Sequence, residues 1–473
     1  MMSKPEKLHP ATIVFNLIKG IKDSIFLIIL VFVTMFDDHL LYAIFIVFFL
    51  LLLITGTSIL SWSRFTYRID GDELRLEYGI FIRKKRYISK NRIQSIDLTQ
   101  NLLHRIFKLV KVEIETAGTG SEAEASLLAL SLEDGEALRA ELKTLKKNEE
   151  VEEETSTVPA ETISRKRLIF AGATSGSIGV ILALVGFVSS EVIRFIPNSF
   201  YDEAYKWLIG LGLLLMILMG IGVLLLVWLL GILGTMTKYW NFTVSKVGED
   251  IVITHGLIEK KQITIPIRRI QAVGHVESVF RQPFGYCTVI AEIAGGSNEK
   301  GEQFSTVLFP VLKVDELNSF LQKFLPEYQA DNRKMHSLPK RALKYYIARV
   351  FFPALLLLIA VGIVVPHFIW VPILLLIGSI ILGVLQYKDT GHVMDGRKLS
   401  IRYRTLSKTT MVMNHKRIQA LNKKQHFLHK RENLATIKLS IVGKMGLGKH
   451  YFVKELDEEE LHHVADWYSY RGV

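Results

Sequence analysis

The sequence predicts a membrane protein of two alternating parts: paired transmembrane helices, and small antiparallel β-barrels or sandwiches each finished by a helix. Three observations predict this. Long apolar blocks without formal charge are separated by polar stretches. Lys and Arg crowd beside the paired blocks and are scarce within each pair. The motif Arg-Ile-Gln stands at Arg92–Gln94 and returns at Arg269–Gln271 and Arg417–Gln419 in matched surroundings.

The chain has 473 residues, 49% of them hydrophobic, and a net charge of +12. Its mean hydropathy is positive. That excess, gathered in blocks, is the pattern of membrane spans rather than of one large core. A basic surplus suits anionic headgroups on the cytoplasmic leaflet. No finger, helix-turn-helix or aromatic-basic platform speaks for nucleic acid, so none is expected as a partner. The single cysteine, Cys287, excludes an intramolecular disulfide and fits a reducing compartment. The opening Met1–Pro10 lacks a small-residue cleavage site after an apolar stretch, so no removable signal peptide is expected.

The spans follow in order. Ser24–Phe36 is free of charge and reaches bilayer length only when extended over Ile13–Ile21, with Lys19 and Lys22 snorkelling to the interface. Leu40–Ser63, Leu168–Ser190 and Trp207–Thr237 are long enough to cross once each, about 20 residues being required. Val350–Tyr387 suffices for two short spans, broken at Val365–Pro372, where two prolines flank a histidine. The expected plan is six helices in three hairpins at 1–64, 165–237 and 346–387. Soluble domains follow at 65–147, 238–328 and 388–473, with an acidic linker at 148–164 and a basic one at 329–345.

The connections within pairs, Asp37–Leu40, Ser190–Lys206 and Pro366–Phe368, hold only Arg194 and Lys206 of the 58 Lys and Arg residues. The flanks carry Arg64, Arg68, Arg165–Arg167, Lys340–Lys344 and Lys388. This asymmetry places both termini and all three soluble domains in the cytoplasm. Glycines at Gly172–Gly176 and through Gly210–Gly234 suit close helix packing.

The three polar segments align on Arg92, Arg269 and Arg417. Thirteen residues upstream lie Gly79, Gly256 and Arg404, each in a turn between strand-like runs. Twenty-six residues downstream lie Gly118, Gly295 and Gly443, which close further runs without a gap in register. Alternating apolar and polar residues between turn signals mark half-buried antiparallel strands. Helical patterns end each unit at Glu133–Lys147, Lys313–Leu325 and Asp457–Tyr470, with acidic residues near their starts. Repeats this long are tandem domains, not a solenoid.

Two spans, then strand–Gly–strand, Arg-Ile-Gln, the Leu102–Arg105 motif or its equivalent, and a closing Ala-Gly resemble the bacterial pleckstrin-homology family, once catalogued as a domain of unknown function. Hairpin plus module three times over is similar to the YdbT group of multi-pass membrane proteins. The likeness covers nearly the whole chain and is carried best by Arg92–Gly118. The third copy departs from it, with Arg404 at the turn glycine and Glu432 where Phe107 and Phe284 stand. The resemblance implies a pleckstrin-homology-like barrel with a C-terminal helix and a non-enzymatic role at a membrane.

Candidate contacts are the basic runs. Arg83, Lys84, Lys85 and Arg86 form one, and Lys423, Lys424, Lys430 and Arg431 another. Either suits anionic headgroups at about 1 kcal/mol per well-placed charge, or a solvated strand face. Arg92, Arg269 and Arg417 suit a phosphate or peptide contact, or the commoner duty of satisfying strand backbone and fixing register. Gly443–Lys449 lacks the ending and context of a phosphate loop and reads as a turn. The pairs His426/His429 and His462/His463 have no third ligand at metal spacing, so no metal or cofactor is expected. Cys287 lacks an evident base and reads as a core residue.

The function expected is a non-enzymatic inner-membrane scaffold presenting three cytoplasmic domains to headgroups, a partner membrane protein or its own copies. Envelope stress, or resistance to membrane-active toxins, is the setting the likeness suggests. A transporter or export component using the helices as a path is the alternative. It wants polar or broken helices at mid-membrane, and only Pro353 and the Pro366–Pro372 turn answer to that.

Overall fold

A long apolar run in lipid must satisfy its own backbone, and a helix does so within one segment. The computed structural model describes residues 4–35, 39–116, 124–144, 159–175, 212–294, 305–329, 335–443 and 448–469. One unit comprises Met1–Val158, Val252–Thr254 and Ile258–Pro266; the other comprises Pro159–Ile251, His255–Leu257 and Ile267–Val473.

In the first unit, helices α1 (Thr12–Met35) and α2 (Leu40–Arg64) pack side by side. Gly20 permits this approach, since a Cβ there would lie 2.5 Å from Ile54 Cγ2. Hydroxyls of Thr34, Thr55 and Ser58 donate to carbonyls one turn back, so polar side chains in apolar helices stay satisfied. Strands β1 (Thr66–Asp70), β2 (Glu73–Tyr78) and β3 (Lys84–Ser89) form one antiparallel sheet in that order. A single turn of 3₁₀-helix at Lys90–Arg92 leads into β4 (Ile93–Gln100), α3 (Leu102–Ile106), β5 (Leu109–Thr116) and β6 (Ala125–Ser131). Helix α4 (Leu132–Thr144) then covers the open end. Period-two alternation buries Leu74 and Leu76 from β2 and Val110, Val112 and Ile114 from β5. From α4, Leu138 and Leu142 dock on this core at a one-turn spacing. Each such leucine contributes about 2 kcal/mol of burial.

The second unit begins with β7 (Ala160–Thr162), α5 (Arg165–Ala173), α6 (Gly212–Lys238), β8 (Thr243–Val247) and β9 (Asp250–His255), the last divided between units. Next come β10 (Lys260–Pro266), which belongs to the first unit, then β11 (Ile270–Glu277), β12 (Tyr286–Ile293), β13 (Thr306–Lys313) and α7 (Leu317–Phe324). Of the Leu168–Ser190 block, only the part through Ser175 lies in the described residues; the connection Ser190–Lys206, Gly118, Gly295 and Glu149–Glu154 lie outside them. Gly172 packs on α6, with a Cβ position 3.0 Å from Ile232 Cα. Nothing among the described residues stands within 4 Å of a Cβ at Gly220, Gly222 or Gly234, and the preceding block from Gly176 onward lies outside them.

The remaining elements are β14 (His336–Ser337), α8 (Leu343–Val364), α9 (Trp370–Asp389), β15 (Gly391–Asp395), β16 (Lys398–Arg404) and β17 (Lys408–Asn414). After them come β18 (Ile418–Lys424), α10 (Phe427–Lys430), β19 (Leu434–Val442), β20 (Gly448–Asp457) and α11 (Glu458–Ser469). The block Val350–Tyr387 is two helices, turned at Pro366–Phe368. Gly383 lets them close, a Cβ there reaching 2.7 Å from Ile347 Cα. In all, four helices among the described residues are long and apolar enough to span a membrane: Leu40–Arg64, Ile217–Lys238, Lys340–Val364 and Trp370–Asp389. Helix α1, which carries Lys19, Lys22 and Asp23, is not among them.

Strand pairing crosses from one repeat to the next. In the first unit β4 pairs antiparallel with β10, with Lys260 opposite Gln100, Lys261 opposite Thr99 and Gln262 opposite Leu98. Thr264 N donates to Asp97 Oδ1 at 3.0 Å, and Arg139 Nη2 donates to Thr264 Oγ1 at 2.8 Å. In the second unit β11 pairs with β17, from Glu277 opposite Lys408 to Ala272 opposite Met413. The resulting sheet runs β13-β12-β11-β17-β16-β15-β14. Gly274 sits at its centre, where a Cβ would come 2.2 Å from Thr410 O, so a side chain would force the strands apart.

Glu277 is buried in this joint, with Lys408 Nζ 2.8 Å and His275 Nε2 3.6 Å from its Oε1. Burial alone would raise its carboxyl; hydrogen bonds from His275 and Lys408 outweigh that and hold it down from 4.5 to about 2. A depressed folded-state value gives stability that is full above pH 4.5 and is lost as pH falls towards about 2. Thermal unfolding of the detergent-solubilised chain is expected to lose up to about 3 kcal/mol across that window, and Glu277→Gln to flatten this part of the acid dependence. Equal acid dependence in the two proteins contradicts the assignment.

Candidate membrane-facing site

Each span that enters a barrel does so with almost no linker. Phe65 alone separates α2 from β1, and Thr390 alone separates α9 from β15. Lys238, the last residue of α6, is followed by β8 from Thr243. One residue reaches about 3.5 Å, so the first strand of the first and third modules begins at a helix end, and four residues make the connection in the second.

Two loops then grip the hairpin. The first joins the second and third strands of each module. Arg64 Nη1 donates to Ile80 O at 2.6 Å, and Leu257 N donates to Thr237 O at 2.9 Å. In the third module Gln386 Nε2 donates to Thr405 O at 2.9 Å. Gly79 and Gly256 take φ of +115° and +108° here. A Cβ on Gly79 would lie 2.0 Å from Ile82 O, so the sharp turn requires glycine. Arg404 occupies that place without a positive φ, and its buried guanidinium has other work. Its Nε lies 2.5 Å from Asp389 Oδ2 at the end of α9, and its Nη2 2.6 Å from Gln282 Oε1.

The second loop joins the fourth and fifth strands. Twelve residues after each Arg anchor stand His104, Arg281 and His429. His104 stacks on Phe15 of α1 with ring centroids 4.1 Å apart. Burial, first of all, lowers the pKa of His104, so the ring is held neutral against the helix. Arg281 donates to Thr174 Oγ1 at 2.9 Å and to Ala171 O at 3.2 Å, at the end of α5. His429 meets Tyr345 of α8 edge-on at 4.9 Å. Glu432, the departure from Phe107 and Phe284, receives Lys344 Nζ, so an ion pair replaces the Phe284–Phe170 ring contact of 5.5 Å. The turn after it is left-handed in all three modules, at Lys108, Gly285 and Asn433.

These loops expose large apolar side chains beside cations. Phe81 is 94% exposed and Ile82 74%, immediately before Arg83, Lys84, Lys85 and Arg86. Ile106, Phe107, Phe280, Phe284, Leu406 and Phe427 are likewise exposed, and Lys430 and Arg431 close the third module's second loop. In water such patches are a liability; beside a membrane helix end they suit the headgroup–acyl boundary. The sequence reading took the cations and missed the apolar tips, although Gly79–Ile82 carried the signal of three bulky apolar residues in a turn.

A cavity of about 350 Å³ opens where the first hairpin meets its barrel, lined by Thr12, Asn16, Trp62, Phe65, Tyr78 and Arg86. Arg86 also donates to Glu124 O. Trp62 Nε1 is held by Leu8 O at 2.8 Å. An indole and a phenol of this kind mark the interfacial level of a membrane protein.

The Arg anchors are not brought together. Arg92 is exposed on its turn. Arg269 is buried, its Nε donating to Ala294 O at 2.9 Å, while Gln271 Nε2 donates to Arg269 O at 3.1 Å. Arg417 lines a second cavity of about 320 Å³ with Lys246, Arg268, Lys416, Glu249 and Glu327. Lys423 pairs with Glu458 at 2.5 Å, and Lys424 is exposed at the end of β18. Cys287 is fully buried, and burial pushes its thiol up to about 12, which leaves it unreactive. No cluster of three metal-ligating side chains occurs among the described residues.

Helix ends running into repeated barrels that lean on them define a multi-pass membrane protein built from a tethered β-module. The family model for the bacterial PH domain matches at residues 24–146, 180–327 and 347–472, and the chain belongs to that family. It is similar to the UPF0699 transmembrane protein YdbT of Bacillus subtilis (strain 168), 35% identical over 491 residues that cover 99% of each chain. No solved structure matches.

The Arg404–Asp389 pair is expected to hold the third barrel on α9. Arg404→Ala leaves a partly buried carboxylate without its cation and should cost about 3 kcal/mol, read as a lowered Tm of the solubilised chain. Arg404→Lys should recover only part of this, since one ammonium cannot reach Asp389, Gln282 and Leu406 O together. A Tm unchanged by Arg404→Ala contradicts the tether.

Proposed function

We propose that this chain is a non-enzymatic scaffold of the bacterial cytoplasmic membrane, with its termini and three bacterial PH domains on the cytoplasmic side. The observation that carries the reading is the pair of loops held against the helix ends in every module. These loops are apolar at their tips and carry exposed cations in the first loop of the first module and the second loop of the third. A module so placed meets lipid headgroups before any soluble ligand. Bulky apolar tips insert at the interface, and Arg83, Lys85, Arg86, Lys430 and Arg431 attract anionic headgroups above them. Three weakly binding modules on one chain combine into useful avidity. The basic flanks of the hairpins support the cytoplasmic orientation through the positive-inside bias. Resistance to membrane-active toxins is the physiological setting this reading favours. A deletion strain of unaltered sensitivity to such agents removes that setting while leaving the scaffold intact.

The lipid reading is tested on the full chain in nanodiscs of mixed anionic and zwitterionic lipid. Arg83→Gln with Arg86→Gln should lower the anionic lipid retained on purification by roughly fivefold per charge. Phe81→Ser should weaken retention of both lipid classes alike. Retention unaffected by any of the three substitutions contradicts headgroup binding at these loops.

A further inference from the structure

The two joints between modules are made in one register. In the first, the residue nine places before the second Arg anchor, Lys260, faces Gln100, eight places after the first anchor. In the second joint the same two places hold Lys408 and Glu277. The next pairs inward are Lys261 with Thr99 and Gln262 with Leu98 in the first joint, and Thr409 with Val276 and Thr410 with His275 in the second. Every module thus offers two edges: its third strand receives the module before, and its fourth receives the module after.

With three modules, one edge of each kind is left over. Among the described residues β3 pairs only with β2, and β18 only with β19. Both are open rows of backbone donors and acceptors, the usual template for strand addition. Placed in the register of the internal joints, the β3 edge of one copy and the β18 edge of another would set Lys84 against Lys424 and Lys85 against Lys423. All four are exposed, and Arg86 adds a fifth charge beside them. Lys85 has Glu77 at 3.6 Å and Lys423 has Glu458 at 2.5 Å within their own modules, so the repulsion falls most on Lys84 against Lys424. Side chains directly opposite in an antiparallel pair stand about 5 Å apart, and like charges there oppose pairing. The internal joints contain no like-charged pair, and the second contains a buried Lys–Glu bridge.

We propose that these outer edges are the unfilled halves of the same joint, closed to a second copy of this chain by their lysines. The strand they fit is an antiparallel edge from a different chain, with acidic side chains at the two facing positions. Charge complementarity selects that occupant, and the internal joints supply its register. The β3 edge shares Lys85 and Arg86 with the proposed headgroup contacts; the β18 edge, with Lys423 and Lys424, does not, and so separates strand pairing from lipid binding.

The test makes the acidic strand within this chain. One copy carries Arg83→Cys and another Gln425→Cys, the facing pair at the end of the register, and disulfide formation between full-length chains is read in native membranes. With the natural lysines, crosslinking should stay at the level of random collision. Lys423→Glu with Lys424→Glu should raise it roughly tenfold, as two repulsive pairs become attractive. Lys84→Glu with Lys85→Glu, on the opposite edge, should do the same and keeps the test readable should the first pair disturb folding. Reversing both edges together should return crosslinking to background. Strong crosslinking with the natural lysines, or none with either single-edge reversal, overturns the proposal.

Discussion

The hydrogen bonds between loop tips and helix ends are the constraint on which the rest depends. Arg64 holds Ile80, Thr237 holds Leu257, and Gln386 with Asp389 holds the Thr405 turn. A one-residue linker alone would let a barrel pivot about the end of its span. A second attachment removes that freedom, and the contacts of His104, Arg281 and His429 with the first helix add a third. The chemistry of these contacts differs from module to module while their places do not. Fixing the barrel to its hairpin is therefore what the repeat preserves, by ring stacking, by a buried guanidinium or by an edge-on ring contact.

Once a barrel is held this way, its exposed apolar tips have an evident use. Phe81 or Phe280 in bulk water would be costly and prone to association, whereas the same side chains at the headgroup boundary stabilise the attachment. The sheet edges follow a different logic. In the joints inside the chain, lysines face neutral or acidic residues; the edges left at its ends are unpaired among the described residues and would bring lysine against lysine. On the proposed reading, apolar surface is directed to lipid, and backbone pairing is confined to chosen partners.

Much of the local fold was legible because it rests on local signals. The Arg-Ile-Gln repeat marks the turn into the fourth strand, Gly79 and Gly256 sit where φ must be positive, and the prolines of Val365–Pro372 break the longest block into two helices. Period-two runs gave β2 and β5, and acidic helix starts gave α4 and α11. The joints were not legible, because the pairing of β4 with β10 and of β11 with β17 depends on strands far apart in sequence and on which edges tertiary docking leaves open. Arg404 read only as a departure at the turn-glycine position, since its partner Asp389 lies on the preceding helix.

Depth in the bilayer tests the attachment most directly. A spin label on Phe81→Cys in the full chain, reconstituted in vesicles, reports its surroundings through collision with oxygen and with a water-soluble nickel chelate. A tip held at the end of α2 should give high oxygen and low nickel accessibility, and a label in the turn at the other end of β2, at Asp72→Cys, the reverse. Equal exposure of both labels to the nickel chelate would contradict the account, since a barrel free of its helix ends keeps no side chain at the lipid surface.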